Sequence, residues 1–133
     1  MSYLFDKGRN RFLTGDLDWV DHVVRAVLAD SGAYTPNQNT DEFYSIVPAP
    51  AIVSTVDLTG KSAVNGVADA NDATWQLVTG PQSEYIILYR FNTAAGDSPM
   101  IALIDSATGL PVTPNGGDIV VRWSELSNKI FKL

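Results

Sequence analysis

From residue 50 onward the apolar positions of this chain recur in short runs with a period of two. Residues 51–58, 73–78, 84–91, 100–105, 117–123 and 129–133 are rich in Val, Ile, Tyr and Trp and are separated by Gly, Pro, Asn and Asp. Such runs predict strands, because β-branched and aromatic side chains suit a pleated surface and the separating residues suit turns. Ile119, Val121 and Trp123 alternate with Val120 and Arg122, so one face of that strand is apolar. Tyr85, Ile87, Tyr89 and Phe91 alternate with Ile86, Leu88 and Arg90, so both faces of that strand are apolar and it is expected to be central or covered by a partner.

The first half is less regular. In residues 19–30, Trp19, Val20, Val23, Val24, Val27 and Leu28 fit a helical stripe capped by Asp16 or Asp18, but the stripe is dominated by β-branched Val. A strand is favoured, since the β-rich remainder needs an early partner. A short helix is expected around 41–47, with Thr40 as its N-cap and Pro48 and Pro50 ending it. Residues 61–70 predict an edge strand or an extended loop. Asn115-Gly116 is expected to form a tight hairpin turn, with Pro111 and Pro114 stiffening its approach. Residues 1–18 lack any period and read as an extended N-terminal arm, leaving 19–133 as a single domain. Seven or eight strands with turns every 8 to 15 residues predict an all-β fold, a β-sandwich of jelly-roll type.

A length of 133 residues suits one domain, and 45% hydrophobic with 18% charged residues is ordinary for a folded protein. No apolar run approaches the roughly 18 residues of a membrane span, and the opening lacks the layout of a signal peptide. The chain is therefore expected to be soluble and unexported, with no membrane partner. The absence of cysteine removes disulfides, thiolate metal sites and thiol nucleophiles.

The net charge of −6 is unevenly placed. Residues 1–12 carry Lys7, Arg9 and Arg11 against Asp6, and residues 129–133 carry Lys129 and Lys132 with no acid, so each end is +2. The intervening 116 residues hold Arg25, Lys61, Arg90 and Arg122 against 14 acids and sum to −10. The acidic body argues against nucleic acid as a partner. Tyr3, Phe5 and Phe12 interleave with the N-terminal cations, and Phe131 lies between the two C-terminal lysines. Aromatic anchors rimmed by basic residues suit a partner groove, so Tyr3, Phe5, Lys7, Arg9, Arg11, Phe12, Lys129, Phe131 and Lys132 are the candidate partner interface. The alternative is that these aromatics complete the protein's own core.

Catalytic signals are weak. The single histidine, His22, has no nucleophile motif near it, and no phosphate-binding, dinucleotide or zinc-protease pattern occurs. Asp16, Asp18 and Asp21, and the stretch Asp69-Ala70-Asn71-Asp72, offer oxygen ligands but lack the Gly and terminal Glu of a calcium loop. Capping and turn roles account for them. No catalytic, cofactor or metal site is assigned, and a non-enzymatic role is expected.

The segment Thr-Gly-Leu-Pro-Val-Thr-Pro-Asn-Gly-Gly-Asp at 108–118, followed by the short apolar and basic C-terminus, resembles a widespread group of small structural proteins of tailed bacteriophages. Lys7-Gly8-Arg9, Phe12-Leu13, Gly15-Asp16-Leu17-Asp18-Trp19, Tyr34-Thr35-Pro36-Asn37 and Leu58-Thr59-Gly60-Lys61 extend the likeness over most of the chain. The resemblance implies a virion component made in the host cytoplasm, foremost a capsid cement or decoration protein on the phage head surface. Its expected partners are the major capsid protein and, by self-association, copies of itself as a dimer or trimer. A tail or head-to-tail completion protein is the nearest alternative. A carbohydrate-binding module, with Trp75, Tyr85, Tyr89 and Trp123 as a stacking platform, is a more distant one, resting on fold analogy.

Overall fold

The computed structural model describes residues 2–133, and these form an all-β fold with one α-helix. Its centre is a five-stranded antiparallel sheet of β1 (Tyr3–Leu4), β2 (Val24–Ala29), β3 (Ile52–Asp57), β7 (Tyr85–Arg90) and β8 (Met100–Ile104), in the order β1-β8-β7-β2-β3. Two smaller sheets complete the strands. One is β10-β5-β4, from β4 (Ser62–Val64), β5 (Val67–Asp69) and β10 (Phe131–Lys132), and the other pairs β6 (Ala73–Trp75) with β9 (Ile119–Val121).

The alternation read in the sequence accounts for the layers. Val24, Ala26 and Leu28 of β2 share a face with Ile86 and Leu88 of β7 and with Ala102 and Ile104 of β8, as the register Leu28 to Ile86 to Ile104 requires. That face packs against Ala68, Ala73, Trp75, Ile119, Val121, Trp123 and Phe131 of the smaller sheets and their flanks, which makes the arrangement sandwich-like. The Trp75 indole N–H donates to the Ala26 carbonyl oxygen at 3.2 Å, so the largest side chain in this layer has its one polar atom satisfied.

The opposite face carries Val27, Ala29, Tyr85, Ile87, Tyr89 and Leu103, and it too is buried. Its cover is the segment between β2 and β3, through Tyr34, Tyr44, Val47 and Ala51. Tyr44 stacks on Tyr89 with ring centroids 3.9 Å apart. The Tyr34 hydroxyl donates to the Asp41 carboxylate at 2.5 Å, and the Tyr85 hydroxyl donates to the Tyr34 carbonyl at 2.5 Å. Burial raises the pKa of all three phenols, with Asp41 adding to the effect at Tyr34 and the charge of Tyr89 at Tyr44. Tyr44 and Tyr85 are each pushed up to about 12.

Four expectations are corrected. The N-terminal segment is not an extended arm, since Tyr3–Leu4 is the edge strand beside β8 and Asp6–Leu13 is helix α1. The expected helix at 41–47 is a single 3-10 turn at Tyr44–Ile46, because Phe43 bridges Pro99 and the Met100 N–H donates to the Glu42 carbonyl; tertiary pairing outweighs the local pattern. Asn115-Gly116 is not a hairpin turn but part of a loop held to Val78 by reciprocal backbone bonds, Gly116 N–H to Val78 O and Val78 N–H to Gly117 O. The two-residue hairpin lies at Asn65-Gly66, both at positive φ (53° and 79°), between Val64 and its partner Val67. Finally, sheets of five, three and two strands differ from the paired sheets expected of a jelly roll.

Phe5 is fully buried against the second face, so Phe5→Ala should destabilise the whole domain by about 3–5 kcal/mol in chemical denaturation. A segment that hung free as an arm would leave the midpoint unchanged. The raised tyrosine pKa values predict an alkaline transition. The folded state favours the neutral phenols, so their contribution is fully present below the unfolded value of about 10 and is lost as pH rises through about 12. Near-ultraviolet titration should show Tyr44 and Tyr85 ionising together with loss of structure, rather than at the pH of free tyrosine.

Candidate functional site

The two chain ends fold next to each other. In α1, Gly8 and Phe12 are four residues apart and face the body, while Lys7, Arg9, Asn10 and Leu13 face outward. Gly8 is buried so closely on β8 that a Cβ there would lie 2.6 Å from the Met100 carbonyl oxygen. The helix ends where the Thr14 N–H returns to the Asn10 carbonyl and Gly15 turns at φ 80°. Phe12 then meets Phe131 of β10, with centroids 5.9 Å apart, and Phe131 meets Trp19 edge-on at 5.1 Å.

Between β1 and β10 lies a cleft of about 210 Å³. Of the nine predicted interface residues, Tyr3, Arg9, Phe131 and Lys132 line it, joined by Ser2, Leu4, Ile104, Asn128 and Ile130. Arg9 is half exposed, with Asp6 at 3.9 Å, and Lys132 is exposed. Its apolar floor and basic rim suit an extended, acidic segment.

The remaining predicted residues are placed otherwise. Phe5 is core, and Tyr3 meets it edge-on at 5.4 Å. Phe12 packs on the core. Lys7 is exposed on the helix. Arg11 ties the helix to the body: it bonds Asp16 and, at 2.8 Å, Glu42, and it lies 5.1 Å from the centre of the Phe43 ring. Burial opposes its charge, but the two carboxylates outweigh that and raise its pKa. Lys129 is 3.7 Å from both Asp69 and Glu125, so its charge is locally balanced. The aromatic residues at both ends therefore complete the protein's own core, and the outward cations that remain are Lys7, Arg9 and Lys132.

Ser2, Leu4, Ile104, Asn128 and Ile130 were not legible as site residues. The cleft exists only because segments more than a hundred residues apart approach, and no local pattern encodes that. The one available signal was the alternation that places Ile104 on the first face of the sheet.

Other candidates resolve into structure. His22 Nδ1 accepts the Asp18 backbone N–H at 3.0 Å, and the Asp18 carboxylate accepts the N–H groups of Val20 and Asp21, which lowers its pKa. Lys61 donates to the His22 carbonyl, and its burial lowers its pKa despite nearby Asp18, Asp21 and Asp57. In the second acidic stretch, the backbone oxygens of Asp69 and Asn71 accept the indole N–H groups of Trp19 and Trp123, and Asp72 accepts the Trp123 backbone N–H. Among the described residues no group of three or more metal-ligating side chains comes together. The four aromatics considered as a stacking platform are all buried, Trp75 and Trp123 in the first core and Tyr85 and Tyr89 in the second, so they present no exposed surface. No helix among the described residues is long and apolar enough to cross a membrane.

No protein-family model matches the chain, and no curated protein matches it. The exposed position of Arg9 and Lys132 predicts that Arg9→Glu with Lys132→Glu changes stability by no more than about 0.5 kcal/mol each, measured by thermal unfolding. A larger loss would mean that these side chains hold the fold rather than serve a partner.

Proposed function

We propose that this protein is a non-enzymatic virion structural protein of a tailed bacteriophage, a capsid cement or decoration protein that binds the outside of the major capsid lattice. The support is the resemblance of the 108–118 segment and the N-terminal motifs to small phage structural proteins. The single structural observation that carries the contact surface is the cleft between β1 and β10, with Arg9 and Lys132 on its rim. An acidic, extended segment of a capsid subunit is drawn to that rim by charge and seats on the apolar floor of the cleft. A protein that binds only the assembled lattice stabilises it by its binding free energy.

Purified protein mixed with phage heads that lack it should bind across the lattice until saturation, counted by quantitative gel and seen by imaging. Binding confined to one vertex would assign it instead to a head-to-tail or tail position, and no binding would overturn the reading. Replacing Arg9 and Lys132 with Glu should weaken attachment more at low salt than at high salt, since a screened charge contact loses its advantage as ions are added. Equal loss at both salts would contradict a charge-guided cleft.

A further inference from the structure

The free edges of this fold are not alike. Strand β1 is two residues long and has the Gln38 side chain on the Leu4 carbonyl; β10 is two residues long and lies beside Lys129 with Lys132 in it; β4 is three residues long. Strand β3 is six residues, Ile52-Val53-Ser54-Thr55-Val56-Asp57, and it forms the far edge of the central sheet with no Lys, Pro or Gly. Natural edge strands are guarded by such residues, by shortness or by bulges. β3 has one irregularity at its start, opposite Leu28 and Ala29, and one carboxylate at its end. That carboxylate, Asp57, is already bound by Arg25 at 2.7 Å.

The ladder fixes which backbone groups point outward. The Leu58 N–H donates to the Val24 carbonyl at 2.8 Å, so by alternation Val56 and Ser54 also bond inward to β2, while Thr55 and Asp57 direct their N–H and C=O away from the sheet. Among the described residues no hydrogen bond reaches those outward groups, and β6, which passes on the first face, shares no ladder with β3. The Thr55 side chain is exposed as well.

We propose that β3 is a self-pairing edge: two copies of this chain join antiparallel about a two-fold axis at Thr55, fusing their five-stranded sheets into one continuous sheet. The occupant is a second copy because the strand is complementary to itself in that register. Thr55 meets Thr55 of the second copy and exchanges both backbone bonds with it, and Ser54 faces Val56; the regular ladder ends there, because Val53 sits at the register shift and packs on the first core. The two Asp57 residues are then four positions apart, about 14 Å, beyond the ~8 Å screening length of physiological salt. Each keeps its own Arg25, so the pairing meets no like-charge repulsion. The surface is separate from the β1–β10 cleft, and the inference does not depend on what that cleft binds.

The test is sedimentation velocity of the full chain over a range of concentrations, beside Thr55→Pro and Thr55→Lys. Proline at 55 removes an N–H that points outward and leaves the β2–β3 ladder intact, and lysine places a charge on the axis. The wild type should sediment as a dimer and both variants as folded monomers with unchanged circular dichroism. Because the chain has no cysteine, Thr55→Cys supplies a second readout: the facing Cα atoms, about 5.5 Å apart, should close a disulfide under mild oxidation far faster than Ser127→Cys in the exposed turn before β10. A wild type that is monomeric throughout, a dimer that survives both variants, or equal cross-linking at 55 and 127 would overturn the proposal.

Discussion

Every layer of this protein answers to one constraint, that the strand Tyr85–Arg90 is apolar on both of its faces. A strand of that kind cannot face water on either side, so the sheet built around it needs two covers. A chain of 133 residues has little left over to make them. One cover is assembled from two minor sheets whose inward residues are large, Trp75 and Phe131 above all. The other is a connection with two turns of 3-10 helix, made adequate by the hydroxyls of Tyr34 and Tyr85, which satisfy buried polar groups, and by the stack of Tyr44 on Tyr89. The buried Asp41 is tolerated because it accepts from both the Tyr34 hydroxyl and the Asn37 N–H.

The same economy shapes the surface available to partners. Since the terminal aromatics are used to seal the covers, what remains outside at the chain ends is charge, and it is positive on an otherwise acidic molecule. Helix α1 illustrates how. Its contact with β8 is made through a glycine, which brings the helix backbone against the sheet and leaves its long basic side chains pointing away. Arg11 is the exception. Clamped by two carboxylates, it serves as a fastener rather than a free cation.

The strands were legible wherever alternation was strong. All six runs read from residue 51 onward contain a strand, and the valine-rich stretch after Trp19 yields β2 at Val24–Ala29. The N-terminal helix was illegible for a physical reason: pattern reading looks for an apolar stripe, and here the contact residue is Gly8, with no side chain to display. The turn residues misled in the opposite sense. Asn-Gly occurs twice, and only the pair at 65–66 adopts positive φ at both positions, because strands flank it on each side; at 115–116 the loop is claimed by Val78. Of the nine residues nominated as an interface, the four that line the cleft share it because of long-range folding, which sequence spacing does not reveal.

The pairing of Tyr3 with Leu103 sets the order in which the chain can be completed. During synthesis at about 5–20 residues per second, the first strand and helix wait roughly 5–20 s for the strand that receives them. Val24 waits about two-thirds as long for Arg90. Through that interval Phe5, Phe12 and the cations around them are bare on the nascent chain, and the only long partner that β2 can recruit early is β3. The β2–β3 pair is therefore the first ladder of the central sheet whose two strands are both available during synthesis. The cleft between β1 and β10 can therefore form only after Phe131 has been made, more than a hundred residues after Tyr3.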